Sequence, residues 1–192
     1  MPPDASPPAG ELLPFIALTG TPGTGKSAVR HLLPVACTPT EVADLAIRIG
    51  SGRRTKGDRV VVDLGKTRRW MRRHSDSRSC LLVGHLAHLL LVRDVIVLRC
   101  HPSTLEQRLV RARKGDRGAR HENMLAEALG VVTAEAIARK QNIFEIDTTR
   151  KSPSRVAREV SAWVDGPRRA RFGQVDWLRD ANVTKHLLEW TR

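Results

Sequence analysis

The 192-residue sequence predicts an α/β fold in three layers, with a parallel sheet covered by helices on both faces. Four apolar runs have the length of buried strands and alternate with longer helix-like segments: FIALT (15–19), CLLVG (80–84), DVIVLR (94–99) and IFEI (143–146). The runs are apolar throughout instead of alternating with polar residues, which is typical of parallel strands buried on both sides. Strands and helices that alternate along a chain favour an open parallel sheet.

The segments between these runs carry helix signals. Thr38 as N-cap, Pro39 at the first position and Glu41 at the third predict a helix that ends at Gly50. Further helices are predicted at 26–33, 66–73, 103–113, 121–139 and 153–164. Residues 51–58 are predicted to form a loop and residues 60–62 a further strand.

The composition indicates one globular domain inside the cell. The chain is 41% hydrophobic and 28% charged, and it has three widely spaced cysteines, which suggest no disulfide framework. Its apolar runs are too short for a transmembrane helix, and residues 1–14 resemble a disordered, Pro-rich leader rather than a signal peptide. We therefore expect a cytoplasmic monomer with no membrane contact.

The net charge of +13 is concentrated in parts of the chain. Residues 48–73 contain ten basic and two acidic side chains, residues 108–120 contain six and one, and the tail 166–192 is also basic. Composition leaves three explanations open: an arginine-rich surface without a special role, a polyanionic partner, or sites that handle nucleotide phosphates.

The segment GTPGTGKS (20–27) fits the phosphate-binding pattern G-x-x-x-x-G-K-[ST], after a strand and before a helix. In such a P-loop, backbone N–H groups and the helix N-terminus surround the phosphates, the lysine reaches the β- and γ-phosphates, and the hydroxyl holds Mg²⁺. The residues predicted to bind ATP here are Gly23, Thr24, Gly25, Lys26, Ser27 and Ala28. The sequence therefore predicts a P-loop NTPase fold that binds a purine nucleoside triphosphate.

The magnesium site of a P-loop usually includes a carboxylate at the end of a neighbouring strand. The run CLLVGH ends in Val83-Gly84-His85 and DVIVLRC ends around Arg99, so neither places a carboxylate at the strand end. Asp63, in VVVDLGK, is the carboxylate that follows a strand-like run in the middle of the chain. Ser27 and Asp63 are accordingly the candidate magnesium ligands.

The arginine-rich segment 108–120 is a candidate flap over the phosphates. Phosphoryl transfer needs cations to stabilise the transferring group and needs water to be excluded, and a mobile segment with arginines supplies both. A solvated basic loop is the alternative interpretation.

Beyond the P-loop, the sequence resembles the archaeal and nuclear adenylate kinase isoenzyme-six family, a branch of the nucleoside monophosphate (NMP) kinases. The matching segments, in the family's order, include IALTGTPGTGKS (16–27), EVADLAIRIG (41–50), VGHLAHLL (83–90), DVIVLRCHPSTLEQRL (94–109), ENMLAEAL (122–129), FEIDTTRKSP (144–153) and GQVDW (173–177). The resemblance implies an NMP-kinase domain at 15–165, with an NMP-binding segment at about 37–60 and a short lid at about 113–122. Residues 166–192 would be a basic C-terminal tail.

The resemblance also implies roles for single residues. Arg113 best matches the lid arginine, Arg111 is the alternative, and His85 matches the histidine beside the acceptor. Arg150 follows the last strand, where the donor base lies in this fold class. Two departures are Val83, where the family commonly has an acid, and Gly130, where it usually has Asp.

Two main functions follow from this resemblance. The first is an adenylate kinase, or broad-specificity NMP kinase, that uses Mg²⁺ and ATP to phosphorylate AMP and also assists maturation of the small ribosomal subunit. The alternative is an ATPase assembly factor with weak or no kinase activity, whose basic patches bind a small-subunit ribosomal protein or rRNA. A third possibility, suggested by Val83, is a nucleotide-gated RNA-binding module without useful turnover.

Overall fold

The computed structural model describes residues 15–33, 39–55, 59–74 and 80–190. The strands are β1 (Phe15–Thr19), β2 (Thr40–Glu41), β3 (Gly52–Arg54), β4 (Val60–Val62), β5 (Cys80–Val83), β6 (Asp94–Arg99) and β7 (Asn142–Asp147). Five of them form a parallel sheet in the order β2-β5-β1-β6-β7. The predicted three-layer α/β fold with a parallel sheet is therefore confirmed.

The described residues also contain eight helices. They are α1 (Lys26–Arg30), α2 (Val42–Arg48), α3 (Leu64–Arg73), α4 (Pro102–Arg111), α5 (Arg117–Ala128), α6 (Val131–Ala138), α7 (Pro153–Asp165) and α8 (Ala181–Trp190). A 3-10 turn at Ala87–Leu89 makes the crossover between β5 and β6. Within the described part of the chain, none of the helices is long and apolar enough to cross a bilayer.

The sheet is buried on both faces, as its continuous apolar strands require. Phe15 and Ala17 of β1 pack on one side, with residues of α2, α3 and α6. Ile16 and Leu18 pack on the other side, with residues of α1 and α7. This alternation fixes the register of β1, because a shift by one residue would exchange the two faces.

The segment before α2 departs from the prediction. Thr40 and Glu41 form an edge strand paired with Leu82 and Val83 of β5, so α2 begins at Val42 with Glu41 as its N-cap. The helix start predicted at Pro39 is therefore wrong, because pairing with β5 keeps the backbone extended; Thr38, the expected N-cap, lies outside the described residues. The predicted end is confirmed, since Gly50 follows α2 with a φ of +71°.

Two further boundaries are corrected. The predicted loop 51–58 contains β3, which pairs antiparallel with β4. The helix predicted over 121–139 is two helices, because Gly130 adopts a left-handed φ of +64° between α5 and α6. Helix α5 begins at Arg117, inside the segment 113–122 that was predicted as a lid, with the carboxylate of Asp116 as its cap.

Residues after Gly166, predicted as a basic tail, contact the edge of the sheet. The backbone N–H of Arg171 donates to the carbonyl of Ile143, and the N–H of Glu145 donates to the carbonyl of Arg171, both at 2.8 Å. The guanidinium of Arg171 lies 4.8 Å from the ring centroid of Phe144. This part of the segment thus continues the hydrogen bonding of β7.

Candidate nucleotide-binding site

The P-loop turns sharply between β1 and α1, and glycine is required at two of its positions. Gly20 has a φ of +137°, and a Cβ atom there would lie 2.3 Å from the carbonyl oxygen of Leu98 in β6. Gly25 has a left-handed φ of +104° and is the residue from which α1 begins. Both conformations are accessible to glycine at little cost, which explains the sequence pattern.

A cavity of about 390 Å³ lies against this loop at the carboxyl ends of β2 and β5. Five of the predicted ATP-binding residues and the predicted acceptor histidine line it: Gly23, Gly25, Lys26, Ser27, Ala28 and His85. Parallel sheets of this kind bind ligands in the crevice at the carboxyl ends of their strands. The fold thus brings His85 to the same cavity as the P-loop, although the two are about sixty residues apart in the sequence.

Lys26 is held against the loop that carries it. Its Nζ donates hydrogen bonds to the carbonyl oxygens of Gly20 at 2.6 Å and Thr21 at 2.9 Å. Burial lowers the pKa of Lys26 to about 8, with Glu127 and Glu41 opposing the shift and Lys114 adding to it. The ammonium group therefore stays charged at neutral pH, as binding to phosphate requires.

His85 lies on the rim of the cavity, just after Gly84 at the end of β5. Desolvation by the surrounding protein, together with the charges of Lys26 and His88, lowers the pKa of His85. At neutral pH the imidazole is therefore neutral and can both donate and accept a hydrogen bond. His88 is different: it is buried, with Nδ1 3.0 Å from the hydroxyl of Thr19 and Nε2 2.7 Å from Glu135.

The arginine-rich segment contributes cations other than those predicted. Arg108 and Lys114 line the cavity, whereas Arg111 and Arg113 are exposed and do not. The guanidinium of Arg108 donates to the hydroxyl of Thr148 at 3.1 Å and to its carbonyl at 2.8 Å. Arg108 belongs to the segment 108–120 that was predicted as a flap, and it is next to Leu109, whose buried side chain packs against Gly23.

A second, smaller cavity of about 270 Å³ also borders the P-loop and shares Gly25, Ala28 and Arg108 with the first. It is lined by Thr24 and Val29 of the loop and α1, by Arg108, and by the region after β7 that includes Thr148 and Pro153. Arg150, predicted at the donor base, lines a separate polar cavity with His101 and Trp177 instead. Its neighbour Lys151 borders both cavities.

Asp63, the carboxylate predicted to bind magnesium, does not line the cavity. Asp63 is exposed and caps α3, accepting a hydrogen bond from the N–H of Lys66 at 2.9 Å. Glu41 is the carboxylate that lines the cavity with Lys26 and Ser27. No cluster of three His, Cys, Asp or Glu side chains that could hold a metal ion occurs among the described residues.

Behind the P-loop lies a buried polar network that sequence patterns did not indicate. Thr21 donates to Glu127 at 2.6 Å, and Arg99 forms ion pairs of 2.8 Å with both Glu127 and Glu145. The indole N–H of Trp177 also donates to Glu127, at 3.2 Å. Although burial alone would lower it, the two carboxylates raise the pKa of Arg99.

The sheet order and the P-loop together show that the protein has a P-loop NTPase fold of the NMP-kinase type. Residues 16–130 match the family model described as an AAA domain. Three archaeal proteins named "Putative adenylate kinase" are similar over most of their length. That of Pyrococcus furiosus is 35% identical over 167 residues, 86% of this chain and 92% of the relative. That of Thermococcus onnurineus is 35% identical over 177 residues, with coverages of 91% and 97%. That of Natronomonas pharaonis is 37% identical over 177 residues, with coverages of 90% and 99%.

The chain belongs to the same family as these three archaeal proteins. The resemblance to an adenylate kinase family is thereby confirmed. Its assignment to the isoenzyme-six branch, with a ribosomal role, stays a prediction.

Proposed function

We propose that the protein is an NMP kinase that transfers the γ-phosphoryl group of Mg·ATP to AMP. The observation that carries the proposal is that the P-loop borders two adjoining cavities. The smaller one, beside Thr24 and Pro153, suits a nucleoside, and the larger one contains Lys26 and His85. A donor and an acceptor bound in these cavities would meet at the loop, and such positioning supplies most of the catalysis of phosphoryl transfer.

In this mechanism the backbone N–H groups of the P-loop and the N-terminus of α1 hold the phosphates of ATP. Ser27 would supply a hydroxyl ligand to the Mg²⁺ that accompanies ATP, and that ion would neutralise charge on the phosphates. Lys26 stabilises the transferring group as a phosphate oxygen of AMP bonds to the γ-phosphorus and the bond to the leaving oxygen of ADP breaks. Neutral His85 hydrogen-bonds the acceptor phosphate at the cavity rim.

Cations from α4 and from the segment that follows it complete the site. Arg108 and Lys114, which already line the cavity, screen the phosphates. Arg113, in the segment 112–116, and Arg111, at the end of α4, remain the proposed lid arginines that approach the γ-phosphate of bound nucleotide. Arg150, which follows β7, stays the proposed contact to the donor base.

The proposal predicts AMP-dependent formation of ADP. ADP is measured by a coupled assay with Mg·ATP alone, and then with AMP, CMP, GMP or UMP added. We expect AMP to raise the rate at least tenfold over ATP alone, because its phosphate is positioned where water is not. Equal ADP formation with and without every NMP would refute the kinase and favour the alternative, an ATPase with water as the acceptor.

A second role, in maturation of the small ribosomal subunit, is proposed from the family resemblance and from the basic surface around β3 and α3. Arg53, Arg69 and Arg73 are exposed on this surface, away from the residues that line the cavity. Arg68 is excluded from the contact surface, because it donates hydrogen bonds to the carbonyl of Leu89. Exposed arginines of this kind bind RNA phosphates.

Replacing Arg69 and Arg73 by Glu is expected to weaken binding to small ribosomal subunits in co-sedimentation at least tenfold, because two phosphate contacts become repulsive. AMP-dependent activity should not change. The matched control is Arg155→Glu with Arg158→Glu on α7, which reverses the same number of charges on the opposite face of the sheet. Equal loss of binding in both double variants would show a non-specific charge effect and contradict a dedicated surface.

A further inference from the structure

The magnesium site of this chain lacks its usual acid. P-loop enzymes hold Mg²⁺ with the Ser or Thr of the loop and a carboxylate at the end of a neighbouring strand. Strand β5 neighbours β1 in the sheet and ends in Val83, a buried apolar side chain with no oxygen ligand. Ser27 alone would leave one side of the ion without a protein carboxylate.

Glu41 lies one strand further along the sheet, directly beside this position. It is the register partner of Val83 in the parallel pairing of β2 with β5. Register partners in parallel strands point to the same face and are about 4.8 Å apart. The side chain of Glu41 therefore faces the side of the sheet on which α1 packs, and it lines the same cavity as Lys26 and Ser27.

The surroundings of Glu41 leave its carboxylate accessible and place a cation beside it. Its side chain is 33% exposed, and Oε1 lies 3.6 Å from a guanidinium nitrogen of Arg30. Arg30 is one helical turn after Lys26 on α1, so the helix that presents the P-loop lysine also orients this acid. Mg²⁺ prefers oxygen ligands and keeps several of its waters, so a hydrated carboxylate beside the site fits its chemistry.

We infer that Glu41 replaces the missing acid, accepting hydrogen bonds from the water shell of the Mg²⁺ that accompanies ATP, with Arg30 as its positioning residue. This inference rests on the proposed function only in taking Mg·ATP as the ligand of the cavity. It needs no acceptor nucleotide. The carboxylate beside the ion is thus at the end of β2 in this chain, whereas P-loop enzymes usually have it at the end of the strand next to β1.

The test measures ATP binding by calorimetry with Mg²⁺ and with EDTA, independently of turnover. In the wild-type protein we expect Mg²⁺ to tighten ATP binding. Glu41→Gln should reduce that enhancement about tenfold, which is the effect of losing one hydrogen bond to a charged group. Affinity in EDTA should be unchanged or slightly higher, because a negative charge near the phosphates is removed.

Two variants make the result specific. Asp63→Asn, which keeps the cap of α3, should retain the full Mg²⁺ enhancement. Adding Val83→Asp to Glu41→Gln should restore most of the enhancement by returning a carboxylate to the end of β5. Full enhancement in Glu41→Gln, or its loss in Asp63→Asn alone, would overturn the inference. Absence of AMP-dependent ADP formation would refute the kinase and leave this binding result standing.

Discussion

Lys26→Met is expected to lower kcat/KM for ATP in the AMP-dependent reaction about 10²- to 10³-fold. Lys26 is the cation placed by the P-loop itself, and removal of one preorganised electrostatic group at a transferring centre costs that much. Met has a similar length and packs in the space of the lysine stem. Lys185→Met, an exposed position on α8, is the matched control and should keep wild-type rates.

The pH dependence of ATP affinity gives a second measurement of the same residue. The pKa of Lys26 is about 8 in the protein without ligand, and bound phosphates must raise it, because they favour the charged form. The affinity for ATP should therefore be constant below pH 8 and should fall by up to tenfold per pH unit above pH 8. Lys26→Arg should remove this fall, since arginine stays protonated. A Lys26→Met protein with wild-type kcat/KM, or wild-type affinity level to pH 10, would contradict this role.

Arg99→Met is expected to destabilise the protein by about 3–5 kcal/mol, which lowers the melting temperature by roughly 6–20 °C for a chain of this size. Arg99, Glu127 and Glu145 are 4%, 2% and 5% exposed. Removal of the arginine leaves two carboxylates buried without a countercharge. Thermal unfolding at neutral pH measures the effect.

The control for this prediction removes the two buried negative charges together with the arginine and does not rebuild the ion pairs. Arg99→Met combined with Glu127→Gln and Glu145→Gln buries no net charge, so it should recover more than half of the lost stability. The hydrogen bonds of Glu127 to Thr21 and Trp177 connect the network to both the P-loop and the C-terminal segment. An Arg99→Met protein that melts within 2 °C of wild type would show that the ion pairs contribute little.

Features encoded in contiguous residues could be predicted from the sequence. The P-loop was identified because its glycines, Lys26 and Ser27 act through local backbone geometry. The four apolar runs became strands because burial on both faces demands continuous apolar sequence. The start of α7 was predicted for a similar reason, since Ser152 caps it and Pro153 occupies its first turn.

Features that depend on pairing between distant segments could not be predicted. The residues around Glu41 predict a helix that would include it. Glu41 instead belongs to an edge strand at the cavity, because it pairs with Val83, which is distant in the sequence. Asp63 follows a strand-like run, but that run belongs to a separate antiparallel pair away from the P-loop. The network of Arg99 and Glu127 joins residues 28 positions apart and leaves no periodic pattern.

The proposed kinase activity requires that the P-loop cavity direct the γ-phosphoryl group to a nucleotide acceptor. The most direct measurement uses ATP labelled with ³²P at the γ-position, incubated with Mg²⁺ and AMP under single-turnover conditions, with the products separated by chromatography. We expect most of the label to appear in the β-phosphate of ADP formed from AMP. Label recovered as inorganic phosphate, in the same amount with and without AMP, would contradict it.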